Sequence, residues 1–506
     1  KKNLFFEKTE VPAEEAIKIM SKAGQKYKME LLKEMESDKV TFYKIGNFLD
    51  PCRGPHVKST GEIKYFKLLS IAGAYWRSDE HNPMLQRIYG TCWETEEELK
   101  KYLQNLEEAK KYDHRKLGQE LDLFVFSDLV GSGLPLFTPK GTLVKELLQR
   151  KVEQICRQFG FEKVMTPHLA KIELYKISGH AEKFGDELFQ VASKRKQKFV
   201  MRPVLCPHQT QLYASKIRTY KELPIRYMES EKMYRAEKPG EIEGLNRVYA
   251  ITVEDGHSFC RIDQVKQEIK NMVEIIKNFY TELGMWDNHW VSLSVRDYNS
   301  QGKYIGDPED WDLCEKILKE VSDEMALDAQ RREGEAAIYG PKLDFMFKDA
   351  LGREIQIPTV QLDFATPKRF KLTYVNNSGE NETPIMVHRA ILGSYERFIA
   401  LLLERFGGEL PVWLAPIQAI IVPVSDKHTD YARKLIDELK DFRVKIDERN
   451  ESVSRKIRDA ELKKIPYIIT VGDREKKNNN ISVRTRKTNN LETIDIKKFI
   501  SVLQKI

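Results

Sequence analysis

No stretch of the 506 residues comes near the roughly 18 consecutive apolar residues that would suggest a membrane span. Cysteine is sparse: Cys52, Cys92, Cys156, Cys206, Cys260 and Cys314 are scattered along the chain, unlike the dense spacing of a secreted disulfide scaffold. Reduced thiols in a cytoplasm are the expectation. The opening residues Lys1-Lys2-Asn3-Leu4 show neither an initiator methionine nor the apolar core of a signal peptide, so no secretory address is visible and the chain reads as a fragment. A surplus of one charge is missing too. With 84 basic against 77 acidic residues the net charge is +7, which permits a polyanionic partner only through local Lys/Arg clusters. Internal repeats are absent, and the short patch 476–480 reads as a turn.

What is present suffices for several cores. The hydrophobic share is 41%, and domains usually hold roughly 100–200 residues, so three or so units are expected. Residues 95–121, TEEELKKYLQNLEEAKKYDHRKLGQEL, are rich in charge, lack proline and carry Leu99, Tyr102, Leu103 and Leu106 at helical spacing. That pattern predicts one long exposed helix that joins two units and has no task beyond spacing. From 122 to 408, helix-like stretches such as 142–158 alternate with short β-rich runs such as 198–201 and 343–347. After 409 the order becomes strand (419–424), helix (431–440), strand (444–446), helix (453–463) and strand (467–471), as in a compact α/β domain with a parallel or mixed sheet.

Candidates for metal chemistry are few. Zinc takes Cys thiolate, His nitrogen or carboxylate oxygen, and a catalytic site keeps three protein ligands with one position open. Cys206 in RPVLCPHQ, His257 in ITVEDGHSFC and His388 in PIMVHRAILGS each adjoin a β-rich or turn-like run. No two are closely spaced. Taken singly, each reads as a packed cysteine or a hydrogen-bonded histidine.

Longer segments carry a resemblance. GTLVKELLQRKVEQICRQFGFEKVMTPHL resembles motif 1 of class II aminoacyl-tRNA synthetases, a helix and strand that reach Pro167 and build the homodimer interface in that class. RYMESEKMYRAEKPGEIEGLNRVYAITVEDGHSFC resembles motif 2, and HRAILGSYERFIALLLE resembles motif 3. With all three in order, the chain resembles the threonyl-tRNA synthetase family over nearly its whole length. The resemblance implies an α+β fold: an antiparallel sheet flanked by helices that holds bent ATP, a C-terminal α/β anticodon-binding domain, and a partial N-terminal editing domain. It implies a homodimeric ligase that activates L-threonine with ATP and Mg2+ and transfers it to tRNA(Thr).

Activation is an in-line attack of a carboxylate on the α-phosphate, so two anions must be screened, a task suited to permanently charged, forked arginines. By resemblance Arg235 touches the amino-acid carboxylate and α-phosphate, Arg247 the γ-phosphate, Glu237 the adenine amino group, and Arg397 stacks on adenine. The resemblance also gathers Cys206, His257 and His388 onto one zinc ion that receives the substrate's amino and hydroxyl groups. An apolar pocket separates threonine from valine by only ~10²-fold, whereas a site that demands a hydroxyl partner rejects valine far more strongly. Asp255 is implied at the amino group, with Tyr339, Lys342, Thr359 and Gln361 lining the pocket. The sequence departs from the family at Val253, where many members have Gln, and at Ile251, where an aromatic usually covers adenine. Its Cys206-Pro207-His208-Gln209 replaces the CPGH form.

On the N-terminal side, residues 50–93 resemble the latter half of the family's editing domain. Cys52 and His56 match two of its four site residues, an HxxxH partner pair has no counterpart here, and a packing role for both fits as well. On the C-terminal side, Asn450, Lys456, Arg458, Glu475 and Arg484 are expected to read splayed anticodon bases. The expected division is 1–94 partial editing domain, 95–121 linker helix, 122–408 catalytic domain and 409–506 anticodon-binding domain. A prolyl, histidyl or glycyl enzyme with the same C-terminal domain would leave the Cys206, His257 and His388 triad unexplained. A binding-only paralogue would have no need of Arg235 and Arg397.

Overall fold

The computed structural model describes residues 3–35, 37–78, 81–195, 197–238, 240–349, 352–486 and 491–505. Lys1 and Lys2 of the opening segment lie outside the described residues. The chain divides into two compact units, Lys1–Glu107 and Glu108–Ile506. In the first, β1 (Glu7–Pro12), β2 (Lys39–Ile45) and β3 (Phe48–Pro51) form an antiparallel sheet. Helices α1 (Ala13–Lys22) and α2 (Lys26–Lys33) pack Ala16, Met20 and Leu32 with its Val40 and Phe42. A hairpin of β4 (Tyr65–Tyr75) and β5 (Met84–Trp93) follows, then α3 (Glu96–Lys111), a charged helix with no buried residue.

The single helix predicted over 95–121 is two helices in the structure. Beyond Lys111 the chain restarts as α4 (His114–Glu120), capped by Asp113, whose side chain accepts from the Arg115 backbone N–H at 2.8 Å. His114, Leu117 and Gly118 are buried. Gly118 lies so close to Phe124 that a Cβ would stand 2.2 Å from the ring. Tertiary packing, not surface spacing, therefore defines α4, and it is a core element of the second unit.

That unit is built on a sheet of eight strands among the described residues. They are β6 (Glu162–Lys163), β7 (Ile225–Tyr234), β8 (Ala250–Cys260), β9 (His289–Val295), β10 (Gln330–Glu333), β11 (Lys342–Lys348), β12 (Glu354–Asp363) and β13 (Ile385–Ser394). Their order is β10-β9-β11-β12-β13-β8-β7-β6, antiparallel except for the two outermost pairs. Successive strand residues face opposite ways, and here the alternation separates core from chemistry. One face carries Val291, Leu293, Val295, Leu343, Phe345, Val360, Leu362 and Val387 into the main core. There they meet α5 (Pro139–Gln158), α7 (Val265–Glu282), α8 (Pro308–Glu324) and α9 (Tyr395–Phe406). The other face carries Ser292, Ser294, Asp344, Thr359 and His388, all buried and all polar. A further helix, α6 (Cys206–Ala214), brings Cys206 and Tyr213 into a smaller cluster with Tyr227 and Phe259 on that polar face.

The C-terminal part holds a mixed sheet, as expected. Its first strand, Ala419–Pro423, runs parallel to Val444–Ile446 and Tyr467–Val471, while Asn480–Thr485 and Leu491–Asp495 continue antiparallel. The patch 476–480, expected as a turn, instead closes a short helix, Asp473–Asn478, with Asn479 in the left-handed conformation at φ 50°. Leu410 and Leu414 belong to the main core of the sheet although they follow residue 408. Among the described residues no helix is long and apolar enough to cross a membrane.

Candidate active site

Register explains how residues far apart in sequence meet. Across five strands, His257, His388, Gln361, Lys342 and Ser294 are successive cross-strand partners. Two residues along, Asp255, Ala390, Thr359, Asp344 and Ser292 form a second row on the same face. The two rows therefore present a polar surface broken only at Ala390, and α6 lays Cys206 over its end.

Cys206, His257 and His388 each offer a ligand atom within 4.8 Å of the others, and all three are buried. The two imidazoles meet edge to face, 4.6 Å between centroids, and Tyr339 stacks on His388 at 4.8 Å. Each histidine is held from behind. His257 uses Nδ1 toward Gln209 Oε1 at 2.7 Å, and His388 uses Nε2 toward Asp363 Oδ2 at 2.9 Å. His257 Nε2 is buried with no hydrogen-bond partner. An orphaned ring nitrogen beside a thiol and a second imidazole fits a tetrahedral metal with N and S donors, and the outer partners are those that metal-ligating histidines use. Electrostatics agree: burial, then the Asp255 and Asp363 carboxylates, push the Cys206 thiol well up. Burial and His388 push His257 well down. A divalent cation at the centre would reverse the first preference and reinforce the second, since a metal takes a thiolate and a neutral imidazole.

Beside this cluster the polar rows are tied together. Asp344 Oδ1 accepts from Thr359 Oγ1 (2.8 Å) and Gln356 Nε2 (2.6 Å), while Oδ2 accepts from Ser294 Oγ (2.7 Å) and pairs with Lys342 Nζ (3.0 Å). Tyr339 donates to Gln361 Oε1 at 2.6 Å, and Gln361 Nε2 donates to Thr359 Oγ1 at 3.4 Å. The Asp255 carboxyl accepts from the Gly256 N–H and is pushed up to about 7, chiefly by burial.

Between β7 and β8 a loop carries Arg235, Glu237 and Arg247. Arg235 Nε donates to the Pro203 carbonyl at 3.4 Å. Arg247 is paired with Glu237 (2.7 Å) and Glu241 (3.0 Å). Desolvation and the nearby Arg247 charge push the Arg397 guanidinium down, so these two cations lie in one neighbourhood.

Three family descriptions match the chain: tRNA synthetase class II core domain (G, H, P, S and T) over residues 189–406, anticodon binding domain over 418–506, and threonyl and alanyl tRNA synthetase second additional domain over 40–89. The threonine–tRNA ligase of a Geobacillus species is 44% identical over 508 residues, covering 100% of this chain and 79% of that protein. That of Thermus thermophilus is 47% identical over 488 residues, covering 94% and 73%.

The chain belongs to the threonine–tRNA ligase family.

A solved structure titled the RNA binding domain of threonyl-tRNA synthetase from Cryptosporidium parvum Iowa II superposes on the ligase with a TM-score of 0.73. It is 32% identical and covers 78% of this chain and 98% of its own. The ligase is thus a class II aminoacyl-tRNA synthetase of α+β fold, with a class II core, an anticodon-binding domain and an editing-associated domain.

In its first unit Cys52 Sγ lies 3.3 Å from His56 Nε2, and His56 is packed between Phe6 and Tyr43. In the C-terminal part Asn450 and Arg458 are exposed. Glu475 caps its own helix through the Gly472 N–H and accepts from Ser482 Oγ, and Arg484 pairs with Glu461 at 3.2 Å. Lys456 does not share that surface: it is 6% exposed, because its helix, Val453–Leu462, turns it inward with Ala460.

Three partners of the polar face escaped the sequence reading. Gln209 follows Cys206 by three positions and so shares its helix face, and Asp363 follows Gln361 by two and so shares its strand face. Asp344 lies two positions beyond Lys342 and shares its face in the same way. His180, buried and bonded to Ser178 Oγ at 2.9 Å, also adjoins the site. Burial, then the charges of His388 and Arg235, push its imidazole down to about 4.

Proposed function

We propose that this ligase selects threonine at the polar face of β8, β13, β12 and β11, with a zinc ion held by Cys206, His257 and His388. The observation that carries the reading is the convergence of one thiol and two imidazoles, one with an orphaned nitrogen, inside the class II sheet. Zinc bound there would supply an open position for the substrate's amino and hydroxyl groups. Asp255 accepts from the ammonium, and the Tyr339, Gln361, Thr359 and Lys342 network shapes the wall around the side chain. A methyl group in place of the hydroxyl leaves that polar wall unpaired, which is costly for valine.

In the first half-reaction a threonine carboxylate oxygen attacks the α-phosphorus of Mg2+-bound ATP, the bond to the bridging oxygen breaks, and pyrophosphate leaves. Arg235 forks onto the carboxylate and α-phosphate, Arg397 packs on adenine, and Arg247 exchanges Glu237 for the γ-phosphate, freeing Glu237 for the adenine amino group. In the second, a ribose hydroxyl of tRNA(Thr) attacks the carbonyl carbon and AMP leaves. Asn450, Arg458, Glu475 and Arg484 face the anticodon. Homodimerisation through motif 1 is supported by apolar side chains left exposed near it, among them Phe126, Leu129, Met165 and Leu169.

ATP–pyrophosphate exchange with each of the twenty amino acids tests the reading. Strong exchange with threonine, weaker exchange with serine and none with valine is expected. Equal exchange with valine would remove the hydroxyl-reading site.

A further inference from the structure

The segment expected to be a mere spacer supplies a buried histidine with both ring nitrogens engaged. His114, the first residue of α4, is 2% exposed. Its Nδ1 lies 2.7 Å from Glu404 Oε1, on the helix that begins near Arg397. Its Nε2 lies 3.0 Å from the backbone nitrogen of Leu245, in the loop that carries Glu237 and Arg247. A backbone N–H can only donate, so Nε2 accepts and Nδ1 carries the proton given to Glu404. The loop is shaped for this contact. Gly244 has φ +50°, and a Cβ there would stand 2.2 Å from His114 Nε2. Around Leu245 the chain closes on itself, Glu243 N–H to Arg247 O at 3.1 Å and Asn246 N–H to Glu243 O at 2.8 Å, so the anchored residue sits at the tip of the turn that ends in Arg247.

We propose that His114 is a positioning residue for ATP: it pins the turn that presents Arg247 to the helix that carries Arg397. The proposal rests on the reading that this loop binds ATP. Glu404 fixes the ring, the ring fixes Leu245, and the turn then holds Arg247 within reach of Glu237 before the nucleotide arrives. Without the pin the loop must be ordered by the nucleotide itself, which weakens ATP binding and leaves threonine binding alone.

Two isosteric variants separate this role from simple packing. Asparagine places a nitrogen near Nδ1 and keeps the donor for Glu404 but not the acceptor for Leu245, whereas glutamine can place an oxygen near Nε2. In ATP–pyrophosphate exchange with the full chain, His114→Asn should raise KM for ATP by about tenfold, the scale of one lost buried hydrogen bond. Its KM for threonine should stay within about twofold, and His114→Gln should return KM for ATP toward the parent value. Arg247→Ala is measured alongside, with direct MgATP binding by equilibrium dialysis on each folded variant. If Arg247→Ala leaves ATP affinity unchanged, the ATP reading of the loop falls and the proposal with it. If Arg247→Ala weakens ATP but His114→Asn does not, the proposal alone is overturned. Equal damage by Asn and Gln, or parallel loss for ATP and threonine, would reduce His114 to a packing residue and also overturn it.

Discussion

Replacing Gln209 with alanine should loosen the metal without disturbing the fold. Gln209 Nε2 donates to Glu229 Oε2 at 3.2 Å, and a carboxylate accepts only, so the amide is locked with Oε1 toward His257 Nδ1 at 2.7 Å. That oxygen requires a proton on Nδ1 and so leaves the Nε2 lone pair free for a metal. Alanine removes the lock, and His257 can then adopt the tautomer that blocks ligation. Loss of such an outer partner typically lowers metal affinity 10–100-fold, or about 1.4–2.7 kcal/mol. Glu229 keeps the Thr166 N–H at 2.9 Å and Arg202 Nη1 at 3.1 Å, so it is not stranded. Competition between the protein and a chromophoric zinc chelator measures the effect, with circular dichroism as the control for folding. Parent-like zinc affinity in a folded Gln209→Ala protein would refute the argument that this amide sets the tautomer.

Arg235→Lys should lose most threonine activation, because an ammonium cannot bridge carboxylate and phosphate in a fork; near-parental exchange would mean that charge alone suffices. Glu254→Ala strands the fully buried Arg389 guanidinium, now 2.6 Å from Glu254, and should cost about 3–5 kcal/mol in denaturant unfolding. An unchanged midpoint would show that the pair is not a structural staple. Thiol labelling at neutral pH should mark Cys92 and Cys52 only, since Cys206, Cys260 and Cys314 are buried and burial pushes the Cys156 thiol up to about 12; mass spectrometry showing early labelling of Cys156 would contradict the packing of α5.

How much of this was legible in the sequence depended on whether the deciding contact was local. The strands and helices from 419 to 471 followed from local alternation and matched to within about two residues, whereas the helices Asp473–Asn478 and Ile496–Gln504 and the strand Leu491–Asp495 went unread. Cys206, His257 and His388 could not be paired by spacing, since register across β8 and β13, not sequence distance, brings the histidines together; motif resemblance alone grouped them. The break at Asp113 had a visible cap residue, yet the burial of His114 and Gly118 comes from Glu404, Gly244 and Phe124, which no local pattern announces. Lys456 was placed among the tRNA contacts by resemblance to the anticodon-binding domain, and only the packing of its helix turned it inward.

The central claim, that Cys206, His257 and His388 read threonine through one bound metal, is tested most directly by titrating zinc into chelator-stripped protein while following threonine-dependent ATP–pyrophosphate exchange. Exchange should be near zero in the stripped protein, rise linearly and break at one zinc per chain. Full exchange before any zinc is added, in protein shown by elemental analysis to be metal-free, would contradict it.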